Sequence, residues 1–301
     1  MIGLLNAVVL LAGGAYLVAV LDRFVYARIA GQPLGNPLLE PLRATVSSLL
    51  RQQSLTEHPD RLNATLAPAL YLGLAVMGIA IVPMTRGAPV LDMGVGIVLW
   101  GAVEALVVVV VFLHGWSPNS LLPLLGAYRY VAIALPIMLL SMFTLIAAAI
   151  PAQSLSFAAI VDSQAGVWNL IRQPLGLPLF LTLGLSLTFR GPFAYADSTD
   201  LSGGTSADAS GAARWLWEVA RLTMLVAFAS VAATVFLGGY LGPWRPGPLW
   251  LAVKTIVLVI VLIVAGHTLP RTPPSRMLTL TWTVLLPLAF ADLVWAGVVA
   301  L

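Results

Sequence analysis

Residues 93–113 read MGVGIVLWGAVEALVVVVVFL, with Glu104 as the one charged side chain. At 1.5 Å of rise per residue, about 20 such residues cross the roughly 30 Å hydrocarbon layer of a bilayer. This stretch predicts a transmembrane helix. Seven others pass the same test, at about 2–21, 65–85, 130–150, 168–189, 215–238, 249–269 and 277–301. Pro174 and Pro178 around Gly176 predict a bent or broken helix within 168–189. The expected fold is an all-α membrane protein of about eight transmembrane helices, with residues 1–301 as a single polytopic membrane domain.

Composition agrees. Of 301 residues, 60% are apolar and 9% charged, against about 25% charged in ordinary soluble domains, and mean hydropathy is +0.98. A soluble enzyme is excluded. Fifteen Lys and Arg against 12 Asp and Glu are too few and too dispersed for a nucleic-acid footprint, so the expected surroundings are lipid and protein. With no cysteine and three scattered histidines, the chain lacks thiolate ligands for iron–sulfur clusters and a histidine set for metal or haem. Redox centres are expected in partners or diffusible carriers.

The first apolar stretch lacks a basic segment before it and a small-residue cleavage site after it, and reads as an uncleaved span. One set of loops and flanks carries Arg23, Arg28, Arg43, Arg51, Arg61, Arg129, Arg190, Arg214, Arg271 and Arg276; the opposite set carries Arg86 and Arg245. The positive-inside rule puts both termini on the outer side. Between the first two spans, Leu38, Leu39, Leu42, Val46, Leu49 and Leu50 share one face of a 3.6-residue period, with Arg43, Ser47 and Arg51 on the other. Residues 37–53 are expected to form an amphipathic helix on the inner membrane surface or under a partner.

A charge at mid-span costs about 2.5–3.5 kcal/mol on insertion scales, so each one calls for a partner, a water cavity or a function. Glu104 is the clearest case, and two readings stay open for it: a neutral structural hydrogen bond or a proton relay. Arg214, Glu218 and Arg221, at i, i+4 and i+7, form one stripe at the inner end of the sixth span. That stripe reads either as an interfacial salt bridge with snorkelling arginines or as a charged conduit. Lys254 lies near the outer end of the seventh span, and Asp292 is placed similarly in the last. The loop 191–213 sets Asp197, Asp200 and Asp208 among glycines and serines, suiting a solvated loop, a partner contact or proton entry. No catalytic triad, nucleotide cradle or metal-ligand spacing appears, and no catalytic residue is assigned.

The segment Gly115-Trp116-Ser117-Pro118-Asn119-Ser120, followed by Leu124-Leu125-Gly126-Ala127-Tyr128-Arg129, resembles the family of the NADH-quinone oxidoreductase H subunit, or complex I subunit 1, with its relatives in formate hydrogenlyase and energy-converting hydrogenases. Further matches follow in order: Asp22-Arg23, Leu38-Leu39-Glu40-Pro41, Leu66-Ala67-Pro68, Gly191-Pro192-Phe193, Ser210-Gly211, Phe236-Leu237-Gly238-Gly239, Lys254, Leu269-Pro270-Arg271, and Trp282 with Leu285-Leu286-Pro287. The resemblance covers roughly residues 20–290.

It implies a subunit of the inner (cytoplasmic) membrane that joins inner-face redox subunits to antiporter-like proton-pumping subunits. It also implies quinone at the interface with partners, no cofactor bound by this chain, and iron–sulfur or nickel–iron centres in partners only. Glu104, Arg129, Asp197, Asp200, Asp208, Arg214, Glu218, Arg221 and Lys254 are the expected proton-pathway or coupling residues. Four positions depart from the pattern. Ala194 replaces an Asp, Met138 a Glu, Arg221 a Glu and Gly266 an Arg. Features of both branches are present: Arg51-Gln52-Gln53-Ser54-Leu55 resembles the hydrogenase type, and the Gly-Trp-Ser-Pro-Asn-Ser segment the quinone type. A formate hydrogenlyase or hydrogenase membrane subunit and an independent secondary transporter are the alternatives.

Overall fold

Backbone groups in hydrocarbon have no water to bond, so a chain this apolar satisfies its N–H and C=O groups within helices. The computed structural model describes residues 2–32, 36–53, 56–85, 90–91, 94–243 and 247–300. Arg86 and Arg245 of the orientation argument, and Met93, Ser54 and Leu55 of the motifs, lie outside the described residues. The helices are α1 (Ile2–Ile29), α2 (Glu40–Leu50), α3 (Arg61–Ala80), α4 (Gly96–Trp116), α5 (Leu121–Ala149), α6 (Phe157–Ser163), α7 (Asn169–Arg172), α8 (Gly176–Leu187), α9 (Gly211–Phe236), α10 (Pro248–Thr268), α11 (Pro274–Leu280) and α12 (Leu286–Ala300). No strand occurs among the described residues. Among the described residues seven helices are long and apolar enough to cross a membrane, the last formed by α11 and α12 through a π-helical turn at Thr281–Leu285. Pro287 follows that turn and offers no N–H to a carbonyl four residues back, which accounts for the local widening.

Stretch 168–189 departs from a single span. It breaks at Gln173–Leu175 into α7 and the twelve-residue α8, which at 1.5 Å per residue is about 18 Å long. The expected prolines and glycine cause the break, and Arg172 thereby joins the end of the bundle opposite the arginine-rich one. The helix expected over 130–150 starts earlier, at Leu121, because Pro123 sits in the first turn, where backbone N–H groups have no intrahelical partner anyway.

α9 is the hub: 83% of its most apolar 18-residue stretch is buried, against 17% for that of the last span. It packs on α3, α10, α1, α8 and α2, and small residues permit the approach. A Cβ on Gly184 would lie 2.3 Å from Phe228, and one on Gly14 would lie 2.8 Å from Val226. α2 forms on the expected amphipathic pattern but over the shorter range Glu40–Leu50. It is tied to α1 by Arg23 to Glu40 at 2.7 Å and by the Tyr16 hydroxyl on the Leu38 carbonyl. Leu42, Val46 and Leu49 remain exposed.

Candidate functional site

The motif 115–129 positions the site by close backbone approach. A Cβ on Gly126 would meet the Ala196 carbonyl at 2.6 Å, and one on Gly115 would meet the Pro123 carbonyl at 2.6 Å. Asn119 takes the left-handed turn between α4 and α5 at φ +52°. The carbonyls of Ser117 and Pro118 accept from the Asp60 N–H (2.8 Å) and the Thr56 hydroxyl (2.6 Å), anchoring the segment before α3.

Docked against Gly126, the acidic loop is ordered through three 3₁₀ turns and is not a loose solvated segment. Gly204, at φ +52°, lies so close to the loop that a Cβ would sit 1.9 Å from the Ala196 oxygen; only glycine fits. The Asp197 carboxylate accepts from Thr205 (2.6 Å), Ser206 (3.0 Å) and Arg221 (2.9 Å). Arg221 also reaches Glu218 at 3.4 Å and the Thr188 carbonyl at 3.2 Å, and its guanidinium lies 5.0 Å over the Phe189 ring. Asp197, Glu218 and Arg221 are therefore one cluster.

Phe189 ends α8 in the left-handed region, φ +55°, a conformation costing an L-residue roughly 1–2 kcal/mol. The Arg190 N–H closes back on the Leu185 carbonyl at 2.8 Å, as in a Schellman ending with phenylalanine in place of the usual glycine. This turn aims Arg190 at Asp22, 2.5 Å away, and the same Asp22 oxygen lies 2.9 Å from His267 Nε2. No spacing in the sequence marks this knot of α1, the α8 exit and α10 as a functional group. Asp22 stands out there only as a family match, and its partners are 168 and 245 residues away.

Two cavities meet here. One of about 490 Å³ lies between α1, α2 and α9, lined by Ala19, Asp22, Thr45, Ser48, Arg51, Arg214, Trp215 and Glu218 among others. The second, about 220 Å³, is lined by Asp22, Arg190, Glu218, Arg221, His267 and Arg271, together with Ala194 and Gly266. Three of the four departures from the family pattern thus line one cavity. Gly266 has a packing role there: a Cβ on Gly191, itself at φ +56°, would lie 3.2 Å from the Gly266 Cα.

The other expected residues fall in separate places. Arg129 bonds Asp200 at 2.6 Å; that hydrogen bond holds the largely exposed Asp200 carboxyl below the usual carboxylate range. Tyr195, whose hydroxyl bonds the Thr272 carbonyl at 2.9 Å, has its phenol pushed up by burial. Asp208 lines a small cavity of about 70 Å³ with His114, whose ring stacks on Trp217 at 3.7 Å. Glu104, 1% exposed, accepts from the Ser141 hydroxyl with both oxygens, at 2.9 and 2.7 Å. Two buried tyrosines adjoin the cluster: Tyr71, bonded to the Leu187 carbonyl, has its ring 6.3 Å from that of Phe189, and the Tyr130 ring lies 5.1 Å from the same Phe189.

Lys254 lies at the opposite end of the bundle, donating to the Gly239 (3.0 Å) and Leu241 (2.6 Å) carbonyls with its ammonium 4.6 Å over Trp168. It caps the chain leaving α9. No group of three or more metal-ligating residues occurs among the described residues.

A family model described as NADH dehydrogenase matches residues 2–297. The NADH-quinone oxidoreductase H subunit numbered 1 in Rhodopseudomonas palustris strain BisB5 is 31% identical over 268 residues, 89% of this chain and 83% of that protein. The H subunit numbered 2 in strain CGA009 of the same species matches to the same extent. The one numbered 1 in strain BisA53 is 29% identical over 276 residues, 91% of this chain and 86% of that protein.

Proposed function

We propose, from the premise that this chain belongs to the NADH dehydrogenase family, that it is the membrane subunit of a complex I-like assembly and couples electron transfer in partner subunits to proton movement. In this reading it sits in the cytoplasmic membrane with the arginine-rich end inward and both termini outward. Inner-face redox subunits and antiporter-like membrane subunits are its neighbours.

One observation carries the proposal: Glu218 lines both cavities and contacts Arg221, which holds Asp197. A carboxylate on a shared wall is suited to passing charge between compartments. The 490 Å³ cavity lies within the usual size range of small-molecule sites. Its apolar Ala19, Pro41, Ala44 and Leu222, with Ser48, Arg51 and Arg214 as donors, fit a quinone ring contributed at an interface with partners; when bound, a quinone would accept two electrons from the partner centres and take up two protons to become the quinol. Arg221 fixes the orientation of Asp197, and the Asp22–Arg190–His267 knot closes the second cavity. Tyr71 and Tyr130 beside this cluster, and Glu104 with Ser141 midway along α4 and α5, offer further polar groups; the Ser141 hydroxyl donates to an ionised Glu104 and would accept from a protonated one.

The test is Glu104→Gln in the purified assembly, with electron transfer and proton translocation measured separately. Quinone reduction should stay within about twofold of the parent while protons moved per electron fall by at least half. Pumping at the parent ratio removes Glu104 from the path. Hydrogen evolution in place of quinone reduction assigns the chain to the hydrogenase branch, and transport by the isolated chain favours an independent transporter.

A further inference from the structure

At the end opposite the arginines, a cavity of about 500 Å³ opens between the end of α5, α7 and α12, with Gln153, Asn169, Arg172, Gln173 and Gly297 among its lining residues. None of the proton-coupling chemistry above uses it. Asn169 is fully buried and donates to the Val235 carbonyl at 2.9 Å, but its Oδ1 has no partner. Arg172 donates Nη2 to the Ser163 carbonyl at 2.9 Å and leaves Nη1 unpaired. Gln173, 1% exposed, has neither amide atom paired.

Buried polar groups are normally satisfied, and each unmade bond is costly. These orphans comprise two acceptors and two donors on residues of one cavity wall, so the complementary occupant offers both kinds of group. Arg172 is the one charged side chain among the described lining residues, which asks for a negative charge. Its surroundings are those of a membrane interface: Trp295 donates its indole N–H to the Arg172 carbonyl at 3.1 Å, and Val299, on the lining, is 50% exposed.

We propose that this cavity binds the phosphodiester headgroup of a membrane lipid that also carries N–H or O–H donors, as ethanolamine and glycerol headgroups do. The phosphate is taken by Arg172 and the Gln173 Nε2. The headgroup donors go to Asn169 Oδ1 and Gln173 Oε1, with the acyl chains on the exposed apolar surface beside Val299. A choline headgroup supplies the phosphate but no N–H, and leaves the amide oxygens unpaired.

The experiment isolates the full chain with whatever subunits co-purify, strips lipid, and titrates with phosphatidylethanolamine, phosphatidylglycerol or phosphatidylcholine. Native mass spectrometry counts the lipid retained. The first two should be retained at least tenfold better than phosphatidylcholine. Gly297→Leu, at a position where a new Cβ meets nothing within 4 Å, should fill the cavity and lower retention at least tenfold without changing the unfolding temperature; Gln173→Leu should also lower it. Equal retention of phosphatidylcholine, parent-like retention by Gly297→Leu, displacement of lipid by millimolar inorganic phosphate, or a cross-link placing a co-purifying polypeptide in the cavity would each overturn the proposal. If Gly297→Leu does not assemble, the headgroup comparison in the parent assembly decides.

Discussion

Three donors converge on the Asp197 carboxylate, and only Arg221 among them carries charge. The two side chains are 12% and 18% exposed, so removing one partner strands the other in a poorly solvated place. Arg221→Met should destabilise the chain by about 3–5 kcal/mol. Adding Asp197→Asn should restore part of that loss, with a coupling of about 1–3 kcal/mol in the double-mutant cycle, read from thermal unfolding of all four proteins in one detergent. Strictly additive losses would show that the two groups do not act as a pair. At this scale the sequence revealed which residues were out of place in an apolar chain but not whom they met. Glu218 and Arg221 were legible as neighbours because helical spacing joins them, whereas Asp200 finds Arg129 across 71 positions and Asp22 finds His267 across 245. Periodicity carries no information over such separations.

Among elements, the acidic loop depends on backbone approach more than on its acids. Gly204→Ala would drive a Cβ into the Ala196 carbonyl at a left-handed φ and should cost more than about 2 kcal/mol, beyond the roughly 1–2 kcal/mol that a left-handed φ alone costs an L-residue. Gly13→Ala in α1, where a Cβ meets nothing within 4 Å, should be neutral or slightly stabilising. Unfolding temperatures of the two variants check the contrast, and equal losses would contradict the close packing of loop on loop. The break in stretch 168–189 was readable because Pro174, Gly176 and Pro178 oppose a continuous helix. The early start of α5 was hidden because Pro123 looks like a breaker in sequence and is harmless in a first turn. The order of the acidic loop was hidden too: glycine and serine suggest solvation, yet here they serve φ values and hydroxyl donors to Asp197.

For the whole molecule, a Cβ on Gly3 would lie 3.8 Å from Val90, beyond the end of α3, while Ile150 and Ala300 line one cavity, so residues near both chain ends lie at the end away from Asp22 and Arg190. The chain has no cysteine, which makes orientation directly measurable. A cysteine at exposed Ser202 should react with a membrane-impermeant maleimide only in inside-out vesicles, and one at exposed Leu155 only in intact spheroplasts; the reverse pattern would invert the proposed topology. The span count came from apolar length alone, and it succeeded where a helix is continuous. Polar cavities reach the two ends of the short α8, through Arg190 on one side and Gln173 on the other. Filled with water or headgroups, they would thin the insulating layer beside α8 to about 18 Å, where a bilayer offers roughly 30 Å. A membrane voltage, worth about 2.3 kcal/mol per elementary charge per 100 mV, would then fall there over a shorter path.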